Sequence, residues 1–321
     1  MEESFNDLVL PKEIKESVLD LARSTCQARD DKDTSFRHAI FHGPDGVGKS
    51  MAAKKLAQVV GIDYAHVCGR DIQTSGEKAV RQIQTLFSWA RLSSDGILLF
   101  IDDAEAFLRS TESSPMNDVY TRENNNALCT FLHNMKGLRK NIIFVLATNR
   151  VKDLDAQVLD LCEERIFIPL PDARSRKSML LFYFDTCVQK VIKHKNSTFS
   201  VKSKLIQLIT RQDPLVLSIE DNIMEGEQLE EAVAATRGFS GNDIRDLMLA
   251  MQTVVQVSEN GRLAKSTAWK VIEDRVKRHW LEQTTWCRYC HTHCNCNGFG
   301  DSNTKGYLDG DVIDLQDITF V

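Results

Sequence analysis

The sequence lacks any long run of apolar residues: no stretch of its 321 residues approaches the roughly 18 consecutive apolar positions that a bilayer-spanning helix needs. It also lacks an excess of positive charge, since its formal net charge is −5 at pH 7. Its first residues, Met-Glu-Glu-Ser-Phe-Asn-Asp, are acidic and unlike a targeting presequence. We therefore expect an intracellular, soluble chain with no transmembrane segment and no direct nucleic-acid signature.

The nine cysteines divide into two groups. Five are scattered singly through apolar segments, which is typical of reduced thiols in a reducing compartment: Cys26, Cys68, Cys129, Cys162 and Cys187. The other four are clustered near the end and have a spacing typical of Zn²⁺ ligands: Cys287, Cys290, Cys294 and Cys296. Two interpretations of this tail stay open, a tight zinc-binding knuckle and an irregular segment of oxidisable thiols.

One short motif indicates a nucleoside triphosphate. Residues 43–50 read Gly-Pro-Asp-Gly-Val-Gly-Lys-Ser, a complete phosphate-binding loop. An apolar strand is predicted at 38–42 and a helix at 51–60, which is the context that the motif requires. The candidate ATP-binding residues are Gly43, Pro44, Asp45, Gly46, Val47, Gly48, Lys49, Ser50 and Met51. Lys49 would contact the β- and γ-phosphates, and the Ser50 hydroxyl would bind Mg²⁺.

Two later strands end in polar side chains that could complete this site. The buried strand at 97–103 ends in Asp102 and Asp103, and Asp102 would hold the Mg²⁺. Glu105, two residues on, could bend in, but it is expected to face another way at the start of the next turn. The strand at 141–147 is followed by Thr148 and Asn149. Asn149 could reach between the acidic end of the earlier strand and the γ-phosphate, and it is the candidate for the residue that senses this phosphate. Lys49, Asp103 and Asn149 are therefore the predicted catalytic residues.

The alternation of strands and helices predicts an α/β fold, a three-layer αβα parallel sheet of the P-loop NTPase type. Further elements expected in it are a strand at 62–68, a helix at 77–91 and a fifth strand at 165–168. Asp172 would then cap a helix that starts at Ala173. Beyond residue 170 the pattern is helical, at 178–192, 202–210, 229–236, 241–257 and 267–281. We expect a nucleotide-binding subdomain at 1–170 with an N-terminal helical segment, a helical lid at 171–285 and an irregular tail at 286–321.

These elements, in this order, resemble the AAA+ ATPase family over about residues 5–282. The phrase Gly238-Phe239-Ser240-Gly241-Asn242-Asp243 is similar to the start of the second-sensor helix in that family's lid. Several stretches resemble the C-terminal ATPase module of the AAA-domain-containing protein three family, namely 37–40, 53–57, 61–65, 98–102, 106–109 and 183–185. The resemblance implies ATP hydrolysis, a homo- or hetero-oligomeric ring and a mitochondrial location. That family also carries a membrane-anchored coiled-coil half, which these residues do not contain.

The sequence departs from the family at positions that matter for hydrolysis. Asp103 occupies the place where the family has the glutamate that polarises the attacking water. In the family, each subunit presents arginines to the ATP site of its neighbour. Val158 and Leu161 occupy the positions of those arginines here, and Arg150 and Arg165 are nearby substitutes. Residues 69–78 lack the aromatic residue that grips a threaded polypeptide and are expected to form a surface loop. Two functions follow: an ATPase that remodels a partner, or a hydrolysis-impaired nucleotide-binding scaffold in a mixed ring.

Overall fold

The computed structural model describes residues 9–31, 36–72, 76–94, 96–110, 119–136, 142–196, 217–258 and 261–293. The chain divides into two compact units. The first comprises Met1–Met179 together with Ser240–Ile244, and the second comprises Leu180–Phe239 together with Arg245–Val321. The subdomain boundaries expected from the sequence, near residues 170 and 285, stay predictions.

A five-stranded parallel sheet forms the centre of the first unit. Its strands are β1 (Ala39–His42), β2 (Asp63–Cys68), β3 (Ile97–Asp102), β4 (Ile142–Thr148) and β5 (Glu164–Phe167), in the spatial order β2-β3-β4-β1-β5. Residues 97–101 of β3 and all of β4 are buried, as their continuous apolar runs predict for central parallel strands. Because all strands run the same way, their carboxyl ends meet at one edge of the sheet.

Helices cover both faces of this sheet. They are α1 (Lys12–Asp30), α2 (Lys49–Val60), α3 (Gly69–Ile72), α4 (Gly76–Ala90), α5 (Val119–Lys136), α6 (Ala156–Leu161) and α7 (Ala173–Tyr183), the last of which continues into the second unit. Neighbouring β1 residues point to opposite faces: Phe41 packs in the core with α1 and α2, whereas Ile40 packs in the core with α4 and α5. The predicted three-layer αβα architecture is therefore present.

The second unit is mainly helical. After α7 the chain continues through a π-helical turn, Phe184–Gln189, and remains helical to residue 196. The later helices are α8 (Gly226–Ala235), α9 (Gly241–Val257), whose first residues belong to the first unit, and α10 (Lys265–His293). A short parallel pair of strands, β6 (Ser218–Ile219) and β7 (Arg262–Leu263), lies among them and was not predicted.

Most predicted elements are confirmed within a few residues, including the five strands of the sheet and α2, α4 and α9. The prediction of a surface loop at 69–78 is wrong in part, because α3 covers Gly69–Ile72 and α4 begins at Gly76. The sequence pattern gave no prediction for α5. The helix expected at 202–210 lies outside the described residues. In the part of the chain that the structure describes, no helix is both long and apolar enough to cross a membrane.

Candidate nucleotide-binding site

The phosphate-binding loop connects β1 to α2, as its motif predicts, and two of its glycines stand where no other residue fits. Gly43 has a φ of 149°, and a methyl group added there would lie 2.0 Å from the carbonyl oxygen of Ile168. Gly46 has a φ of 72°, and an added methyl group would lie 2.7 Å from Ser240 Oγ. Glycine alone permits this close approach of the loop to its neighbours.

The start of α9 packs against the loop, within the first unit. The backbone N–H of Asn242 donates a hydrogen bond of 3.3 Å to Gly46 O. Ser240 and Asp243 cap the helix reciprocally, since Ser240 N donates to Asp243 Oδ2 at 2.8 Å and Asp243 N donates to Ser240 Oγ at 3.3 Å. The helix start that resembles a second sensor therefore lies beside the phosphate loop, together with the N-terminus of α2, which is a favourable environment for an anion.

Lys49 is the first residue of α2, and its ammonium is held by oxygen atoms. Its Nζ donates to Gly43 O at 2.9 Å, to Pro44 O at 2.8 Å and to Asn149 Oδ1 at 2.6 Å. The residue is only 8% exposed. A lysine with all three protons engaged is a fixed positive charge at the mouth of the loop, and its contact with the β- and γ-phosphates stays a prediction.

Opposing influences act on the charge of Lys49. Burial lowers the pKa of its ammonium below the ordinary value, and attraction from nearby carboxylates opposes that shift. In decreasing order, the carboxylates that raise this pKa are those of Asp45, Asp102, Glu105 and Asp103. The site thus gathers one buried cation and four acids from the loop and from the region that follows β3.

Asn149 lies directly after β4, and its amide is fixed from both sides. Its Oδ1 accepts from Lys49, and its Nδ2 donates to Asp45 Oδ1 at 2.7 Å. The structure therefore brings together Lys49 and Asn149, two of the three predicted catalytic residues, and links both to the phosphate loop. The remaining loop residues differ in exposure: Val47 is buried, whereas Met51 is 53% exposed on the first turn of α2.

Asp102 and Ser50 provide the oxygen atoms that a Mg²⁺ ion would need. Asp102 ends β3, beside Cys68 of β2, and its Oδ2 lies 3.8 Å from His66 Nε2. Ser50 follows Lys49 in the first turn of α2. A carboxylate and a hydroxyl suit a hard divalent cation, and Asp102, as the last residue of β3, lies at the carboxyl edge of the sheet, where the phosphate loop also begins. The donor set therefore fits Mg²⁺.

Asp103 is drawn into an ion pair. It has a left-handed backbone with a φ of 49°, and its Oδ2 lies 2.9 Å from Nε of Arg70 on α3. The Arg70 side chain is 72% exposed and that of Asp103 is 22% exposed. The sequence placed Arg70 in a surface loop, so this partner was not foreseen.

Glu105 was expected to face another way, but its carboxylate is part of the site's electrostatics. It lies in the short 3-10 turn Ala104–Ala106 that follows Asp103. Its Oε2 is buried and has no hydrogen-bond partner among the described residues. Its carboxylate also raises the pKa of Lys49, so we treat Glu105 as a candidate site residue. An inward orientation is the alternative that the sequence left open.

The positions that correspond to the family's trans-acting arginines lie on α6. Val158 is buried in the core, and Leu161 is the last residue of the helix. Of the two substitutes, Arg165 Nη2 donates a hydrogen bond of 2.9 Å to Leu159 O. Arg150 Nη1 lies 3.9 Å from Asp153 Oδ2. Val158 can neither donate a hydrogen bond nor reach a neighbouring subunit from the core.

The structure describes only part of the cysteine-rich tail. Cys287 and Cys290 lie on α10, whereas Cys294 and Cys296 are outside the described residues. Among the residues that the structure describes, no group of three His, Cys, Asp or Glu side chains is placed to hold a metal ion. A zinc site in the tail stays a prediction.

The family comparison agrees with this geometry. Residues 39–170 match the model of the ATPase family associated with various cellular activities (AAA). The chain is 28% identical over 286 residues to ATPase family AAA domain-containing protein 3 of Bos taurus, covering 88% of this chain and 45% of that protein. It is 30% identical over 273 residues to ATPase family AAA domain-containing protein 3A homolog of Drosophila melanogaster, covering 85% of this chain and 41% of that protein.

The Homo sapiens protein named ATPase family AAA domain-containing protein 3A is 28% identical over 286 residues. The match covers 88% of this chain and 45% of the human protein. The chain therefore spans less than half of the length of the relatives it matches. It contains an AAA-family ATPase domain at residues 39–170, and over most of its length it is similar to ATPase family AAA domain-containing protein 3.

Proposed function

We propose that this chain binds ATP with Mg²⁺ at the phosphate loop and hydrolyses it to ADP and phosphate. The observation that carries the proposal is the position of Lys49, whose Nζ joins the loop carbonyls of Gly43 and Pro44 to Asn149 at the end of β4. In ATPases of this architecture the γ-phosphate is held by a loop lysine and a polar residue on a neighbouring strand. The predicted roles of Lys49 and Asn149 fit this arrangement.

Each group would contribute one interaction to ATP. The N–H groups of the loop and the start of α2 would surround the β-phosphate, because glycines at 43 and 46 let the loop turn its backbone inward. Lys49 would neutralise charge on the γ-phosphate, and Asn149 would donate to it. Ser50 and Asp102 would hold the Mg²⁺, which neutralises the phosphate charge that develops as the bond to ADP breaks.

The proposal extends to assembly and location. We propose that residues 171–285 act as a helical lid and that the chain works in a homo- or hetero-oligomeric ring. A hetero-oligomer suits the α6 positions, because Val158 is buried and an arginine would have to come from another subunit. The ATP-driven step would remodel a protein partner in mitochondrial organisation, as the resemblance to the family implies.

A second function, a nucleotide-binding scaffold with little hydrolysis, is favoured by one observation. The Asp103 carboxylate is paired with Arg70 at 2.9 Å, so the residue in the place of the family's glutamate is engaged elsewhere. A regulatory subunit needs tight ATP binding but no fast chemistry. Lys49, Ser50, Asp102 and Asn149 would serve that function equally well.

Steady-state ATP hydrolysis and nucleotide affinity distinguish the two functions. The comparison uses the wild-type chain, Lys49→Ala, and Lys54→Ala as the matched control, because Lys54 is an exposed lysine on the same helix. We expect Lys49→Ala to lower hydrolysis by at least about 10²-fold, the usual effect of removing one charge-stabilising donor. Lys54→Ala should behave as the wild type.

The concentration of protein should be varied in the same assay. A specific activity that rises with protein concentration would support ATP sites that are completed by residues of a neighbouring subunit. Tight ATP binding by the wild type with no turnover above that of Lys49→Ala would contradict hydrolysis and favour the scaffold. A wild type that does not bind ATP would contradict both functions.

A further inference from the structure

We propose that Glu105, rather than Asp103, is the carboxylate that positions the attacking water and accepts its proton. This inference rests on the proposed ATP hydrolysis and assigns its general base. Asp103 stands where the family has the glutamate that polarises the attacking water. With Glu105 in this role, the chain would supply a glutamate two residues later. Four observations on the region that follows β3 support this assignment.

The first observation is that Asp103 is held in another direction. Its carboxylate pairs with Arg70 Nε at 2.9 Å. Its main chain is fixed as well, since a methyl group added at Gly69 would lie only 2.4 Å from Asp103 O. Aspartate is also one methylene shorter than glutamate. A general base needs a heavy-atom distance of about 2.6–3.2 Å to the proton it removes, which a short, paired carboxylate reaches poorly.

The second observation is that the backbone of Glu105 is firmly placed. Within its turn, Ala106 N donates to Asp103 O at 2.9 Å, and Leu108 N donates to Ala104 O at 3.0 Å. Ala104 and Leu108 on either side are fully buried. The turn also packs against β4, the strand that ends next to Asn149. Glu105 therefore projects from a rigid element beside the site.

The third observation is the state of its carboxylate. Glu105 Oε2 is buried and accepts no hydrogen bond from the residues that the structure describes. A buried polar atom without a partner costs about 1–3 kcal/mol, so its occurrence calls for a reason. The reason would be catalytic: the hydrogen-bond donor to this oxygen would be the water molecule that attacks ATP.

The fourth observation is location. The turn that holds Glu105 follows β3 at the carboxyl edge of the sheet. Asn149, at the end of the neighbouring β4, accepts a hydrogen bond from Lys49 at the same edge. An acid at this edge lies near the place where the γ-phosphate would bind, and a water between acid and phosphate completes the arrangement.

The reaction step balances. The water oxygen forms a bond to the γ-phosphorus while one of its protons passes to the Glu105 carboxylate. The bond between the γ-phosphorus and the β–γ bridging oxygen breaks, and its electron pair leaves with ADP. The carboxylic acid then returns the proton to solvent, which leaves ADP, inorganic phosphate and unchanged protein.

The test compares two amide substitutions of equal size, Glu105→Gln and Asp103→Asn, in the full chain. For each variant, single-turnover hydrolysis at saturating ATP, ATP affinity and the thermal unfolding midpoint are measured. We expect Glu105→Gln to lower the rate by about 10²-fold or more, the contribution typical of a general base, with ATP affinity and unfolding midpoint close to those of the wild type. Asp103→Asn should lose less than about tenfold.

A second pair of variants keeps the charge and changes only the length, in case Glu105→Gln folds poorly. Glu105→Asp should lower the rate about tenfold or more, and this loss should be larger than any change caused by Asp103→Glu. A larger loss with Asp103→Asn than with Glu105→Gln, or a loss of ATP affinity in Glu105→Gln that accounts for its rate, would overturn the proposal. Equal losses would overturn it too.

The wild-type rate separates this proposal from the proposed function. Suppose that the wild type hydrolyses ATP faster than Lys49→Ala and that Glu105→Gln hydrolyses it as fast as the wild type. In that case only the assignment of Glu105 fails. If the wild type is no faster than Lys49→Ala, hydrolysis itself fails, and Glu105 has no reaction to catalyse.

Discussion

Lys49 and Asn149 lie 100 positions apart in the chain, yet a hydrogen bond of 2.6 Å joins Lys49 Nζ to Asn149 Oδ1. The bond connects the start of α2, the helix that follows the loop after β1, to the end of β4, the strand that pairs with β1. Asn149 Nδ2 extends the connection to Asp45 in the phosphate loop. The loop, the lysine and the strand end thus form one network, and ATP would have to enter it.

The amide of Asn149 provides a direct test of that network. Asn149→Asp keeps the size of the side chain but adds a negative charge beside Asp45 and the γ-phosphate. Like charges at this range repel by about 1–4 kcal/mol in a partly solvated site, so ATP affinity should fall at least tenfold. Equilibrium binding of a fluorescent ATP analogue measures this directly.

The control for that experiment is Asn149→Ala, which removes the amide without adding charge. It should lower the hydrolysis rate more than it lowers affinity, because a sensor contributes most to the transition state. If Asn149→Asp binds ATP as tightly as the wild type does, the amide does not face the γ-phosphate and its predicted sensor role is wrong.

Gly43 and Gly48 form a matched pair for testing the shape of the loop. Both have a positive φ, so an alanine at either position is strained by about 1–2 kcal/mol. At Gly43 the new methyl group would also lie 2.0 Å from Ile168 O, whereas at Gly48 it would meet no heavy atom within 4 Å. Gly43→Ala should therefore lower the free energy of unfolding by a further 1–3 kcal/mol or so.

Chemical denaturation of the two variants, without nucleotide, measures this difference in unfolding free energy. An equal loss in Gly43→Ala and Gly48→Ala would mean that the loop does not pack against the backbone after β5. ATP affinity is a poor readout here, because both glycines border the proposed phosphate site.

His38 makes the stability of the first unit depend on pH. Burial lowers the pKa of its imidazole, and the Glu163 carboxylate acts in the opposite direction. His38 Nδ1 accepts a hydrogen bond of 3.2 Å from Phe144 N, which the protonated ring could not do. The unfolded chain therefore binds the proton more readily, and the stability from neutral His38 is present above pH 6.5 and lost as pH falls below it.

His38→Asn isolates this effect, since an amide oxygen can accept the same hydrogen bond without titrating. Burial also lowers the pKa of His42, with the same sign, but His42 remains in the variant. We expect the wild type to lose more unfolding free energy between pH 7 and pH 5 than His38→Asn does. Parallel curves of stability against pH for the two proteins would contradict this account.

The sheet could be predicted from sequence because its central strands are buried on both faces. Residues 97–101 and 142–147 are apolar throughout, which indicates strands that are buried in a sheet. The phosphate loop could be found for a different reason, since its chemistry depends on residues that are adjacent in the chain. Lys49 and Ser50 have a fixed spacing from the glycines.

The remaining contacts depend on tertiary structure, which sequence spacing does not reveal. Arg70 meets Asp103, and Ser240 meets Gly46, only because the fold brings separate segments together. The burial of Glu105 depends on the direction of one turn after β3. Strands β6 and β7 have two residues each, too few for an alternating pattern to be recognised.

The cap of α9 links helix stability to nucleotide binding, because Ser240 lies against the phosphate loop. Its Oγ donates to Asp243 Oδ2 at 2.8 Å, and Asp243 N donates back to Ser240 Oγ at 3.3 Å. Ser240→Ala should lower the free energy of unfolding by about 1 kcal/mol, the usual cost of losing a cap. It should also lower ATP affinity, since the cap fixes the backbone next to Gly46.

Ser258→Ala is the matched control, because Ser258 Oγ donates to Val255 O just after the other end of α9. It should leave ATP affinity unchanged. Ser240→Thr, which keeps the hydroxyl, should retain more stability than Ser240→Ala. Calorimetric titration with ATP compares all three variants with the wild type. If Ser240→Ala lowers stability while ATP binds as in the wild type, the start of α9 supports the fold but not the nucleotide.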